Sequence, residues 1–401
     1  MLRRVFKAFH YPNFRLLWFG AFTSSIGTWM QRVAQSWLVL DISGSPFWLG
    51  LDAFLGDIPI FLFSLVGGVI ADRVDRRRIL LASQIVQMGT AFLLAILIGF
   101  GHVRVWHILV CSFVTGTAQS FGGPAYQALV PNLVKKHDLS NAIALNSIQF
   151  NLARVIGPVL GGLALTQLGA TWCFGLNGIS FVAVIISLML LRVSFVPEPS
   201  DEPILESMKK GFQFIRKQGA MEALIVLAFL MTALGIPMIT FLPVFAKDVF
   251  HQGASAFTVF LSVSGIGSVV GALVVAGIGN IRQKGLMTLI MLVCLGGGIF
   301  GFAISKNFLL SCLLLFVSGM ALIAVFSMIS SLVQLITTEE MRGRVMSVYH
   351  VAFRGGMPFG SLVTGWLVPV YSAPVVLAAN GVLLFFLGIY FLVSQRRVAA
   401  L

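Results

Sequence analysis

Six ionisable residues lie inside long apolar stretches of the sequence: Arg32, Asp52, Asp57, Arg154, His350 and Arg354. A charged side chain at the centre of a membrane helix costs about 2.5–3.5 kcal/mol, so each of these residues needs a reason to be there. Acids and histidines inside membranes commonly relay protons, and we predict this role for Asp57, Asp52 and His350. For the arginines we predict substrate binding or charge balance.

A structural ion pair is the alternative explanation for Arg32 and Asp57. Counted from the Ser43–Gly44 turn, both residues lie about 11–13 residues along neighbouring predicted helices, which puts them within one turn in depth. Three arginines against two aspartates leave one excess positive charge in the apolar stretches. This excess favours an anionic substrate.

Amide side chains in the same stretches could line a substrate cavity. These candidates are Gln31, Gln35, Asn146, Gln149, Asn151 and Gln334. Each could instead hold two helices together by hydrogen bonds.

The elements that must position these residues follow from composition. Of the 401 residues, 58% are hydrophobic and only 10% are charged, against about a quarter charged in soluble proteins. Runs of about twenty apolar residues can each cross the roughly 30 Å hydrocarbon core as a helix. The sequence predicts an all-α integral membrane protein with twelve such helices, at 13–40, 46–70, 79–100, 104–123, 140–168, 172–192, 220–246, 254–279, 286–305, 308–335, 345–370 and 374–394.

The basic residues predict orientation. Most of the 27 Lys and Arg residues fall in loops on the side of the N-terminus, so both termini are expected in the cytoplasm. Because the net charge of +13 is spread between the spans, we expect no nucleic-acid partner.

The longest polar interruption divides the chain into two halves of six spans. The predicted domains are 1–196, a linker at 197–219 and 220–401. Within the linker, apolar and basic residues alternate at helical spacing over Ile204–Lys217, which predicts an amphipathic helix on the cytoplasmic interface.

Two motifs and an internal repeat narrow the function. In the loop after the second span, Gly68 stands four residues before Asp72, and Asp72 is followed by Arg73, Arg76 and Arg77. This spacing predicts a cytoplasmic gate. A basic loop alone would explain only the arginines.

The fifth span carries a predicted helix-bend motif: Gly157, Pro158, Gly161 and Gly162. Arg154 precedes Pro158 by four residues, and Arg354 precedes Pro358 in the same way.

These motifs, with Trp37–Pro46 and Arg342–Ser347, resemble the major facilitator superfamily, in particular the branch of enterobactin exporters and macrolide-efflux proteins. The resemblance implies two six-helix bundles related as a parallel repeat. It also implies a secondary active transporter in the plasma membrane, in bacteria the inner membrane, that exports a small amphipathic, drug- or siderophore-like molecule by proton antiport and alternating access. The excess of arginines in the spans favours an anionic molecule of this kind.

Two alternatives remain open. A transporter of the same fold could move lysophospholipids or other lipids, and a membrane receptor or scaffold could share the span pattern without transport. We see no catalytic constellation and expect no enzyme, metal or cofactor. The expected partners are a small-molecule substrate, membrane lipid and protons, and the chain is expected to be a monomer.

Overall fold

The computed structural model describes residues 6–191, 204–278 and 283–393, together with Val398. In this part of the chain every long element is a helix. The first half forms α1 (Pro12–Ser43), α2 (Pro46–Arg73), α3 (Arg76–Gly99), α4 (Val105–Leu129), α5 (Leu139–Gln167) and α6 (Ala170–Leu190). A shorter helix, α7 (Ile204–Lys217), precedes the second half. The second half forms α8 (Gly219–Thr240), α9 (Ala254–Ile278), α10 (Lys284–Ile304), α11 (Phe308–Ile336), α12 (Arg342–Tyr371) and α13 (Ala373–Val393).

Nine helices of the described chain are long and apolar enough to cross a membrane by length and composition. The three remaining long helices, α1, α4 and α12, contain 32, 25 and 30 residues and are less apolar. They carry many of the buried and half-buried polar side chains discussed below, which lowers their mean hydropathy without shortening them. The chain therefore has the predicted all-α membrane fold with twelve spanning helices.

The predicted spans match the helices closely, with two clear differences, at α8 and α4. The span predicted at 220–246 is interrupted, because α8 ends at Thr240 and short helical turns follow at Leu242–Val244 and Phe245–Val249. The other difference is the fourth span. That span was predicted to end at residue 123, but the helix continues through Pro124 to Leu129. Proline removes one backbone donor, yet Ala125 and Leu129 are buried in the core beyond it. Their packing holds the helix together past the proline.

The chain divides into two compact units. The first contains α1, the part of α2 from Ile58, and α3–α6; the second contains Ser43–Asp57 at the start of α2, and α7–α13. In the first unit, a short 3₁₀ turn at Lys7–His10 packs beside α1, where the ring of Phe9 lies 5.0 Å from that of Trp18. The Trp18 indole donates to the carbonyl of Leu145 on α5 at 3.0 Å.

A helix, α7, forms over the residues of the predicted amphipathic helix. One of its faces packs within the second unit: Ile215 is buried, and a Cβ added at Gly211 would lie 2.8 Å from the carbonyl oxygen of Arg344. Phe212 is exposed, and the Arg216 guanidinium lies 5.7 Å from its ring centroid. The helix therefore joins the start of α12 as well as presenting a basic and aromatic surface.

Candidate functional site

The glycine motif of α5 brings this helix against α1. A Cβ added at Gly157 would collide with the Cβ of Trp29, and one at Gly161 would lie 2.9 Å from the Cα of Met30. Pro158 lies inside a continuous helix between these two contacts. Glycine permits this backbone approach, which larger residues would prevent. The motif therefore fixes the crossing of α1 and α5 at Trp29 and Met30.

Two predicted arginines meet at this crossing. The guanidinium of Arg32 on α1 lies 5.1 Å from the Trp29 ring centroid, and that of Arg154 on α5 lies 5.7 Å from the same centroid. The ring of Phe150 lies 6.3 Å away from the Trp29 ring, edge to face. The two guanidinium-to-indole distances fall within the range of cation–π attraction. The sequence pointed to the arginines but not to the indole between them.

No described acid of the first unit neutralises the charge of this cluster. Among the described residues of the first unit, no Asp or Glu forms an ion pair with Arg32 or Arg154. A cation–π contact contributes about 0.5–2 kcal/mol, which is less than the cost of holding a charge at mid-membrane depth. Arg32 is exposed on the unit and Arg154 is half-buried. The cluster can therefore bind an anion, above all one that carries an aromatic or planar group.

The first set of predicted amides joins helices beside this cluster. Asn177 on α6 donates to the Gln31 side chain at 2.6 Å, and Gln35 donates to the Ser112 hydroxyl on α4 at 2.9 Å. The Gln31 side-chain amide also donates to the Gln35 side-chain oxygen at 3.4 Å. Sequence analysis did not select Asn177, although a single asparagine in a very apolar span was a usable signal.

The second set centres on Tyr126 of α4. Its hydroxyl donates toward the carbonyl oxygens of Asn146 and Gln149 at 3.2 Å each, and Gln149 donates to the Ser25 hydroxyl at 3.1 Å. Gln149 is buried. Asn151 instead donates to a backbone carbonyl of its own helix, that of Ser147, at 2.8 Å. These contacts connect α1, α4 and α5, so the amides hold the helices in place around the arginine cluster.

The second unit repeats the crossing seen in the first. On α12, a Cβ added at Gly356 would collide with the Thr232 hydroxyl of α8, and one at Gly360 would lie 2.7 Å from the Cα of Ala233. Arg354 precedes these packing glycines at nearly the spacing by which Arg154 precedes Gly157 and Gly161, one residue shorter in each case. Arg354 and His350 are both exposed on this unit, and His350 lies beside the fully buried Tyr349, 5.3 Å between ring centroids.

The predicted acids lie on the start of α2, within the second unit. A Cβ added at Gly50 would lie 2.8 Å from the Cα of Gly365 on α12, and the rings of Phe54 and Phe359 are 6.1 Å apart. The two helices thus run antiparallel. At about 1.5 Å per residue, this register puts Asp57 within about one turn in depth of Arg354.

Asp52 is 7% exposed and Asp57 is half-buried. The predicted acids and the predicted His350 and Arg354 are thus all carried by one unit, on α2 and α12. The suggested pairing of Asp57 with Arg32 joins residues of two different units and stays a prediction.

A polar cavity in the second unit contains one of the predicted amides, Gln334, beside serines that sequence analysis did not select. It has a volume of about 540 Å³ and is lined by Phe326, Ser327, Ser330, Ser331, Gln334, Leu335 and Arg342. The serines and Gln334 recur at spacings of three and four residues, so they share one face of α11. Serines in an apolar helix resemble ordinary packing residues, which is why they gave no signal, whereas Gln334 did.

The predicted gate loop has a structural role within the first unit. Arg76 donates to the carbonyls of Ala71 at 3.2 Å and Ala128 at 3.0 Å, near the ends of α2 and α4, and Arg77 donates to Met189 near the end of α6 at 2.7 Å. Helix C-termini have unsatisfied carbonyls that attract cations. These two arginines therefore tie three helix ends together.

Other parts of the gate prediction fare differently. Gly68 belongs to the predicted gate, but a Cβ there would have no atom within 4 Å, so this glycine makes no close packing contact in the structure. Instead, a Cβ at Gly67 would collide with the carbonyl oxygen of Ser120 on α4, because Gly67 occupies the helix face turned toward α4. Arg73 is exposed, and the side chain of Asp72 lies outside the described part of the structure.

Known proteins resemble this chain in sequence and in fold. The staphyloferrin A transporter of Staphylococcus aureus is 25% identical over 362 residues, covering 88% of each chain. The enterobactin exporter EntS of Citrobacter koseri is 28% identical over 378 residues, covering 91% of this chain and 88% of that protein. Among solved structures, the nucleoside transporter NupG superposes with a TM-score of 0.76 at 15% identity, covering 94% of this chain and 99% of the other.

A bacterial homologue of the lysosomal transporter Spinster, solved facing inward, superposes with a TM-score of 0.70 at 14% identity, covering 97% of this chain and 95% of that one. At these identities the two structures show the fold alone. A family model described as transmembrane secretion effector matches residues 4–400. The chain therefore belongs to the transmembrane secretion effector family of the major facilitator superfamily.

Proposed function

We propose that this small-molecule transporter exports an amphipathic, anionic, siderophore-like molecule in exchange for protons, by alternating access. The observation that carries the proposal is the pair of arginines around Trp29, in which neither Arg32 nor Arg154 is neutralised by a described acid of its unit. Siderophores combine anionic oxygen donors with planar or aromatic groups, which suit a guanidinium and an indole. The names of two relatives, a staphyloferrin A transporter and an enterobactin exporter, support the same substrate class.

In this proposal the two units have different tasks. The first unit binds the anion at Arg32 and Arg154. The second unit couples transport to protons through Asp57, with Asp52 and His350 as further proton carriers and Arg354 as the charge that competes with the proton. An apolar surrounding favours a protonated acid, and a nearby arginine favours the ionised form. If the surroundings of Asp57 change during transport, its carboxylate binds a proton in one state and releases it in the other.

The domains proposed for this cycle are residues 1–196 and 220–401, each a bundle of six helices. By sequence Asp52 and Asp57 belong to the first of these bundles, although the start of α2 that carries them packs in the second unit. Arg76 and Arg77 keep the helix ends of the first bundle together, so that it can move as one body. Asp72 and Arg73 are left as the proposed contacts of the cytoplasmic gate.

Proteoliposomes with the protein in one known orientation test the proposal. A pH gradient should drive uptake of a catecholate or hydroxycarboxylate siderophore when the outer side of the vesicle corresponds to the cytoplasm, and should not drive uptake of a cationic dye. Arg154→Ala should abolish the siderophore flux, whereas Arg104→Ala, at an exposed N-cap of α4, should not change it. Equal flux of dye and siderophore, or flux independent of the pH gradient, would overturn the proposal.

A further inference from the structure

A groove of about 700 Å³ runs along the surface of the first unit between α1 and α6. Its lining residues are Pro12, Asn13, Arg15, Leu16, Phe19, Gly20, Thr23, Ala183, Ser187 and Leu190. The groove is separate from the arginine cluster, which lies further along α1 at Trp29 and Arg32. Neither the proposed anion binding nor the proposed proton coupling involves this groove.

Close helix packing forms the floor of the groove. A Cβ added at Gly20 would collide with the Ser187 hydroxyl and lie 3.0 Å from the Cα of Val184, so α1 and α6 approach closely at this point. Leu190 and Phe19 flank the crossing with 59% and 54% of their surfaces exposed. The exposed side chains of Phe19 and Leu190 thus form the two sides of the groove, and the close contact at Gly20 forms its base.

The hydroxyls in the groove are already satisfied by backbone. Thr23 donates to the carbonyl of Phe19 at 3.0 Å, and Ser187 donates to that of Ala183 at 2.8 Å. Because these polar groups bond to their own helices, they leave the length of the groove apolar. Its chemistry suits a hydrocarbon chain rather than a polar solute.

Positive charge lies at one end of the groove only. Arg15 is exposed there, and no described Asp or Glu of the first unit forms an ion pair with it. Arg77 reaches the carbonyl of Met189, next to Leu190 on the groove wall, so a second guanidinium stands near the same end. This is the end of α1 at which basic loops predict the cytoplasmic leaflet, where anionic lipids attract Lys and Arg.

We propose that this groove binds an anionic phospholipid of the leaflet in which α1 begins. The lipid phosphate lies at Arg15, and one acyl chain lies between Phe19 and Leu190 over Gly20. A phosphate paired with an arginine at the membrane surface and a chain against exposed apolar side chains together satisfy both ends of the groove. The lipid would fill the crossing of α1 and α6 and hold the two helices in register.

Native mass spectrometry of the full-length protein in detergent tests the proposal with phosphatidylglycerol, with phosphatidylcholine of the same acyl chains, and with inorganic phosphate as competitor. The wild type should bind phosphatidylglycerol in preference to phosphatidylcholine. Arg15→Ala should weaken phosphatidylglycerol binding about fivefold, the effect of one basic residue near an anionic lipid surface. Arg78→Ala is the matched control, because this exposed arginine lies in the same basic region but does not line the groove.

A second variant tests the apolar part without altering charge. Thr23→Trp fills the groove and should lower the binding of both lipids, while Arg15→Lys should keep most of the phosphatidylglycerol preference. The proposal is overturned if Arg15→Ala and Arg78→Ala have the same effect, if the two lipids bind equally well to the wild type, or if millimolar inorganic phosphate displaces the lipid. Loss of binding in Thr23→Trp at an unchanged melting temperature supports it even where Arg15→Ala folds poorly.

Discussion

The α1–α5 crossing of the first unit and the α8–α12 crossing of the second are built in the same way. In each, glycines on the later helix pack on the backbone of the earlier one: Gly161 on Met30, and Gly360 on Ala233. In each, an arginine precedes the glycines, and a proline lies between the contacts. The repeat predicted from Arg154 and Arg354 is therefore also a repeat of helix packing.

The two crossings differ in the side chain that faces the first glycine of each motif. Trp29 faces Gly157 in the first unit, whereas Thr232 faces Gly356 in the second. The indole holds two arginines in the first unit, and a threonine cannot do so. In the second unit, the arginine instead shares its depth with Asp57. One packing motif thus positions the proposed anion-binding cluster in one unit and an arginine at the depth of Asp57 in the other.

The largest effect that would separate the proposed tasks of the two units is expected from substitution of Asp57. Asp57→Asn should abolish proton-driven accumulation but leave exchange of substrate down its own gradient, because a neutral amide resembles the protonated acid. Uptake and exchange in proteoliposomes measure both quantities. Asp248→Asn, an exposed acid of the same unit, is the control and should retain both. Unimpaired proton coupling in Asp57→Asn would remove it as the carrier and direct attention to Asp52 and His350.

Trp29 tests the anion site of the first unit. Trp29→Ala removes two cation–π contacts and should weaken binding of an anionic siderophore by about 5–30-fold. Trp29→Phe, which keeps a smaller ring, should fall between the wild type and the alanine variant. Calorimetric titration gives the affinities. Trp172→Ala removes an exposed tryptophan of α6 in the same unit and should leave the affinity unchanged, so an equal loss there would contradict the role of Trp29.

The glycines test whether the two crossings are equivalent. Gly161→Ala and Gly360→Ala should each destabilise the protein by about 1–3 kcal/mol, because a Cβ at either position meets backbone atoms. Gly175→Ala is the matched control: a Cβ there has open space, so the gain in helix propensity should leave stability unchanged or raise it by about 0.5–1 kcal/mol. Thermal unfolding in detergent measures all three. If only one of the two crossing variants loses stability, the two crossings do not contribute equally to the free energy of unfolding, although their packing is alike.

The smallest expected effect concerns the loop after α2, which has no described counterpart in the second unit. Arg76→Ala removes charged donors from two carbonyls and should destabilise the protein by about 1–2 kcal/mol. Arg78→Ala loses only an exposed ion pair with Asp75 and should change stability by less than about 1 kcal/mol. The two melting temperatures measured side by side give the difference, and equal values would argue against the helix-end role of Arg76.

Hydrophobic runs predicted the spans well, because a run of apolar residues both forms the helix and marks its ends. The glycine motif was predicted to bend α5; its contacts show close packing against α1, which depends on the partner helix and is not visible in one segment. For the same reason Trp29, Asn177 and the serine face of α11 gave no signal, since each gains its role from another helix. Gly67 and Gly68 are neighbours in sequence, and only the helix face decides which one packs.

Paired measurements on Arg154→Ala and Arg354→Ala test the division of tasks between the two units most directly. Both variants remove an arginine at the same position of the repeat, so any difference reflects the surroundings of each site. Siderophore affinity and proton-driven uptake are measured on each. Arg154→Ala should weaken binding at least about tenfold, whereas Arg354→Ala should bind within about twofold of the wild type and lose proton-driven accumulation. Equal losses of binding and coupling in both variants would contradict the account.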